Sequence, residues 1–145
     1  MIKILIMGLP GSGKTTLASA LKASLEKRVS VEWLNADIVR AKHDDWDFSE
    51  AGRIRQSQRM HDLCDQSSSD IVICDFVAPL ERMRAIFRAD YLVWMNTIRQ
   101  GRFENTNAIF EAPELADRVV TKWDSQASVT SILTDLAGRG WFDKV

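Results

Sequence analysis

The chain has 145 residues, 46% of them hydrophobic and 27% charged, with a net charge of −1. That suits one compact domain, residues 1–145, of ordinary globular composition. A near-neutral balance gives no global field for nucleic acid or an anionic membrane, and no apolar stretch approaches the ~20 residues of a membrane span.

"IKILIM" (2–7) is predicted as a fully buried strand. It leads into a glycine loop rather than a cleavage site, so it does not read as a signal peptide, and the cytoplasm is the expected location. A helix over 14–26 follows, with Leu17, Ala18, Leu21 and Leu25 at helical spacing. A second strand is expected over 29–34 and a short helix over 37–42. Ser49 is placed to cap a longer helix to about residue 66. "DIVICD" (70–75) is a third strand, apolar on both faces; a helix over 80–88 and the strand "YLVWM" (91–95) come next. "RVVT" (118–121) is a short fifth strand, and the last helix, 126–137, is closed by Gly138. Strands alternating with helices imply a parallel sheet covered on both faces by right-handed crossovers. Cys64 and Cys74 sit in apolar company without metal spacing, and read as buried and reduced.

The loop after the first strand carries the chemistry. Gly8-Leu9-Pro10-Gly11-Ser12-Gly13-Lys14-Thr15 fits G-x-x-x-x-G-K-[ST], followed by Thr16. Glycines let backbone amides turn inward toward a polyphosphate, and the helix opening at Lys14 points its positive end at the same anion. Lys14 reaches back to the terminal phosphates, and the Thr15 hydroxyl ligates Mg²⁺. The loop is therefore expected to bind a nucleoside triphosphate, ATP with Mg²⁺, and the expected fold is an α/β three-layer sandwich that resembles the P-loop kinases of the nucleoside monophosphate kinase type. A GTP switch would need N-K-x-D where "WMNTIR" stands and D-x-x-G where "CDFVAP" stands. An ATPase motor would usually be longer and carry a distinct arginine finger, and "GLPGSGKTTLA" (8–18) resembles the loop of small-molecule kinases, so a small kinase is the expectation that remains.

Four further segments resemble the adenylylsulfate kinase family. "LNADIVR" (34–40) is similar to its L-D-G-D-x-V-R, and "DFSEAGRIRQSQRM" (47–60) to G-F-S-x-x-D-R-x-x-N-I-R-R. "VAPLERMRAIFR" (77–88) is similar to I-S-P-Y-R-x-x-R-x-x-x-R, and "FEAPE" (110–114) to Y-E-A-P-E. The resemblance implies transfer of the γ-phosphoryl of ATP to the 3′-hydroxyl of adenosine 5′-phosphosulfate. It implies that Asp37 is the catalytic-region aspartate and that Arg40 helps bind the sulfonucleotide. By the same resemblance Phe48 stacks on the acceptor adenine, Arg53 meets its phosphate, and Gln56 takes an asparagine's place. Arg59, Arg84 and Arg88 also fall on family arginines. Asn35-Ala36 replaces Asp-Gly, Asp47 replaces a glycine, Ala78 a serine, and Glu81 stands at a usual arginine. The family's long basic lid is cut to a segment around 97–110, where Arg99 and Arg102 are the cations that would offset γ-phosphate charge.

Each residue also has a structural reading. Asp37 could be the cap of its helix as well as a general base. Asp75 could be a polar strand end or the carboxylate that orients Mg²⁺. Arg53, Gln56, Met60 and Leu63 share one helix face, lining a cleft first and a core later. Arg84 could be a surface cation paired with Glu81. His43 and His61 lack partners at ligand spacing, and the five tryptophans read as core or rim packing. The expected partner is a small nucleotide-like acceptor; a membrane or nucleic acid is not expected, and a homodimer is compatible. Two rivals stay open: a kinase for another hydroxyl (a nucleoside, a sugar or a modified base), and a non-catalytic ATP-binding module.

Overall fold

The computed structural model describes residues 1–141. Five strands form one parallel sheet: β1 (Ile2–Met7), β2 (Val31–Asn35), β3 (Ile71–Asp75), β4 (Tyr91–Met95) and β5 (Arg118–Val120), in the order β2-β3-β1-β4-β5. Helices α1 (Lys14–Leu25) and α6 (Ser125–Gly138) cover one face. On the other face lie α2 (Ala36–His43), α3 (Glu50–Asp65) and α4 (Glu81–Phe87); α5 (Glu104–Ile109) stands between β4 and β5 in the chain.

The pleat explains the unbroken apolar strands. Ile4 and Ile6 of β1 join Leu17, Leu21 and Leu25 of α1 and Ile132 and Leu136 of α6. Leu5 and Met7, pointing the other way, join Met60 and Cys64 of α3 and Met83 and Phe87 of α4. Both faces need carbon, so no polar alternation survives. Lys3 is the exception: its buried Nζ donates to the Phe87 carbonyl at 2.5 Å and meets His61 Nδ1 at 2.8 Å. His61 thus acts inside the fold, and among the described residues no group of three His, Cys, Asp or Glu side chains is placed to hold a metal. Cys64 and Cys74 are free and buried, with Sγ atoms 3.1 Å apart.

Several boundaries differ from the sequence expectation. β2 starts at Val31, because the Val29 amide still bonds Leu25 O and Ser30 is turned by two bonds to Asp70. α6 starts at Ser125, capped by Asp124, whose Oδ1 accepts from Ala127 N. Gly138 lies in its last turn rather than closing it; the left-handed residue is Gly140, at φ +76°. The segment 97–110, expected as a lid, contains α5. Only Thr106 of that helix is buried, so no apolar period announced it. Among the described residues no helix is long and apolar enough to cross a membrane.

This topology brings the loop after β1, the end of β3 and the end of β2 to one edge of the sheet, where open α/β folds bind ligands.

Candidate active site

The loop between β1 and α1 is held by backbone and close packing. The Ser12 amide donates to Leu9 O at 3.1 Å, and the Thr97 hydroxyl donates to Ser12 O at 2.7 Å. Gly8 must lack a side chain: a Cβ there would fall 2.6 Å from Ser12 Oγ and 2.8 Å from Met95 O. Gly101 rests on Leu9 and Pro10, so the segment after β4 braces the loop from outside. Gly13 caps α1 without a side-chain bond, leaving the first amides of the helix to an external acceptor. Thr15 and Thr16 are exposed at that helix start, and Ser12 Oγ is buried without a partner among the described residues.

Lys14 has one hydrogen bond, to Leu9 O at 3.1 Å, and no ion pair among the described residues. Burial pulls its pKa down to about 8, against the opposing pull of Asp75 and Asp37, while Arg102 adds to the lowering. A desolvated cation behind a cradle of amides is incomplete without an anion, and a nucleotide polyphosphate fits it.

Asp75 ends β3, 3% exposed, and accepts from Trp33 Nε1 at 2.5 Å and Asn35 Nδ2 at 3.0 Å. Burial raises its pKa; Trp33, Asn35 and Lys14 pull the other way. Asn35 Nδ2 also lies 3.5 Å from Thr15 Oγ1. Its Oδ1 accepts from Ile38 N at 3.1 Å, so the cap of α2 is Asn35 and not Asp37. Asp37 stands in the first turn, exposed, with no hydrogen bond or ion pair among the described residues.

Across the edge lies a wall of α2, α3 and their connection. Arg40, 4% exposed, donates to the carbonyls of Asp45 and Asp47, and its guanidinium lies 4.3 Å from the centre of the Phe48 ring. Arg53, 6% exposed, donates to Phe48 O at 2.8 Å and to Thr106 Oγ1 at 3.2 Å. Gln56 Nε2 donates to Ala36 O, and its Oε1 accepts from Arg59 Nη1 at 2.7 Å. Met60 and Cys64 continue that face into the core. A cavity of about 320 Å³ opens beside the wall, lined by Phe48, Arg53, Leu80, Asn105 and Ile109. Glu50 and Arg82 pair at its rim.

The structure brings together Lys14, Thr15, Asp37 and Asp75 on one side, and Arg40, Phe48, Arg53 and Gln56 on the other. It does not bring Arg99 in: that side chain is exposed and has no partner among the described residues. Arg102 is exposed, but its charge is felt at Lys14. Arg84 is no surface partner of Glu81; it donates to Ala78 O at 2.7 Å and holds the turn after β3, where Ala78 is left-handed at φ +46°. Arg88 is exposed at the end of α4.

Sequence reasoning missed Asp45, which accepts from Arg55 at 2.8 Å and Arg59 at 2.9 Å; those bonds hold its carboxyl far below the usual range. It also missed Gly52, where a Cβ would lie 2.2 Å from Asp47 O. That signal was available. Where the family pattern runs G-F-S-x-x-D, this chain runs Asp47-Phe-Ser-x-x-Gly52, so glycine and aspartate trade places and the backbone at 47 fills the space cleared at 52.

Strand, glycine loop and half-buried lysine, set at the edge of a five-stranded parallel sheet, define a P-loop fold of the small-kinase class. Residues 1–100 match the model of the adenylylsulphate kinase family, and the chain belongs to that family. A curated relative from Aeropyrum pernix, described as "Probable adenylyl-sulfate kinase", is 35% identical over 91 residues, 60% of this chain and 50% of the relative. The chain spans about half the length of the curated relatives it matches. Among solved structures, the Mycobacterium tuberculosis APS kinase in complex with AMPPNP and APS superposes with a TM-score of 0.82 at 20% identity, over 93% of this chain and 96% of that one. The shikimate kinase of Aquifex aeolicus gives 0.68 at 17% identity, over 96% and 98%. These two likenesses establish the fold.

Proposed function

We propose that the chain transfers the γ-phosphoryl group of ATP to the 3′-hydroxyl of adenosine 5′-phosphosulfate. The observation that carries this is a desolvated Lys14 and an exposed Asp37, neither in an ion pair among the described residues, with Asp37 near enough to Arg40 for its charge to be felt there, beside the Phe48 ring. The loop amides and Lys14 neutralise the polyphosphate. Asp37 accepts the proton of the attacking hydroxyl on a carboxylate oxygen. Phe48 offers its ring to the acceptor base beside the cavity, while buried guanidiniums supply charge for the anionic tail. The residues also fit Mg²⁺: the Thr15 hydroxyl and the Asp75 carboxylate would hold it, and it would supply charge neutralisation at the transferring phosphoryl group. Catalysis is then positioning plus electrostatics, with Arg102 as the contribution of the short 97–110 segment.

Two buried free thiols suit a reducing compartment, so the cytoplasm belongs to this reading. A homodimer is compatible with it, and sedimentation of the purified chain tests that part.

A coupled ADP-release assay against a panel of acceptors tests the function. Saturable turnover with adenosine 5′-phosphosulfate supports it. Turnover only with a nucleoside, a sugar or shikimate moves the chain to another kinase specificity. Nucleotide binding without turnover on any acceptor leaves a binding module.

A further inference from the structure

Trp123 follows β5 and is 62% exposed, one of the largest apolar side chains on the surface. Its other side is not free. A Cβ placed on Gly13 would lie 2.8 Å from Trp123 Cζ3, 3.2 Å from Cε3 and 3.3 Å from Cη2. The six-membered ring of the indole therefore rests on the backbone of Gly13, the residue that joins the phosphate loop to α1. At φ +102° glycine already relieves backbone strain there, and it also makes room for the ring. An exposed tryptophan held against a phosphate loop is not core packing.

The strand order gives it a direction. The loop sits in the middle of the sheet, after β1. Asp37, Asp75 and the arginine wall lie on the β2–β3 side, so the phosphate that is transferred must face that way. The remainder of the donor nucleotide then runs back toward the β4–β5 side. Trp123 stands there, kept close by Asn96 N donating to Val120 O and by Thr97 Oγ1 donating to Ser12 O. Trp123 also lies outside residues 1–100, the part the family model matches, so the assignment rests on this chain's own geometry.

We infer that Trp123 is the stacking surface for the base of the donor nucleotide: its inner side packs on Gly13 and its exposed ring takes the purine. The inference rests on the nucleotide reading of the loop proposed above.

The test separates the two. Binding of ADP and of inorganic tripolyphosphate, which has no base, is measured by calorimetry for the wild-type chain, Trp123→Ala and Trp123→Phe. The expected result is that Trp123→Ala weakens ADP about tenfold to a hundredfold, as the loss of one base–aromatic stack does. Tripolyphosphate should bind the alanine variant as it binds wild type, and phenylalanine should restore most of the ADP affinity. Equal ADP affinity in wild type and Trp123→Ala overturns the inference while leaving the loop reading intact. Parallel loss of ADP and tripolyphosphate also overturns it, by reducing Trp123 to a brace for Gly13. If wild type binds neither compound, the nucleotide reading itself fails and takes the inference with it.

Discussion

The two sides of the cleft are built in opposite ways. The phosphate loop is made of backbone: its shape comes from Gly8, Gly11 and Gly13, and its one charged side chain, Lys14, has no ionic partner among the described residues. The wall, which we propose takes the acceptor, is made of side chains that satisfy one another. Arg55 and Arg59 converge on Asp45, Arg59 reaches Gln56, and Gln56 reaches Ala36 beside Asp37. A site for a large anion can leave its amides and cation unpaired, because the ligand completes them. A site that must orient a small acceptor needs its guanidiniums fixed beforehand, since a loose side chain loses entropy on every binding event. The loop should therefore respond to substitution through loss of charge, and the wall through loss of shape.

The largest effect should fall on the loop. Lys14→Ala removes the one fixed cation at the polyphosphate, and ADP release in a coupled assay should drop to background. Retained wild-type turnover would mean that the loop does not hold the transferring phosphate. Next comes the junction of the two sides. Asp37→Asn should lower kcat by about 10²–10⁴, the range for a lost general base, with ATP affinity nearly unchanged. Because Asn35 caps α2, the thermal midpoint of this variant should not move; an unchanged kcat would remove Asp37 from the chemistry.

On the wall, Phe48→Ala should raise the acceptor KM about tenfold to a hundredfold and leave the KM for ATP alone. Arg40 and Arg53 are tied to the carbonyls of Asp45, Asp47 and Phe48, so the wall should survive the truncation. A shift in the ATP KM instead would break the division into two sides. The smallest effect is the pH response of the loop. Lys14 titrates near 8 in the folded chain and near 10.5 unfolded, so between those values the unfolded state binds more protons. Without ligand, stability should rise across that window. Nucleotide affinity should do the reverse, because the anion needs the charged form: ADP binding should weaken as pH rises through about 8, approaching tenfold per unit. Lys14→Arg should flatten that profile, and a flat wild-type profile would contradict the burial of Lys14.

How legible each part was in the sequence follows the same division. The loop could be read because its chemistry is local: strand, glycines, lysine and helix are consecutive. The β1 and β3 strands could be read because burial on both faces leaves an almost unbroken apolar run, interrupted only by Lys3 in β1 and closed by Asp75 in β3. The wall was legible only through resemblance, since its contacts join residues that no period relates. Asp37 was open to reading as a cap because the point where β2 stops decides which residue caps α2, and that point is set by pairing with β3. α5 was invisible because its one buried residue, Thr106, is held by Arg53 from another helix. Trp123 gave no local signal, since its meaning lies in Gly13, at the other end of the chain.

Transfer of labelled phosphate tests the central claim most directly. With ATP labelled at the γ-position and adenosine 5′-phosphosulfate as acceptor, the label should move to the sulfonucleotide at its 3′-hydroxyl in wild type. In Asp37→Asn the same transfer should be slower by a factor of about 10²–10⁴. Label that reaches only water, or passes to a different hydroxyl acceptor while the sulfonucleotide stays unlabelled, would contradict the account.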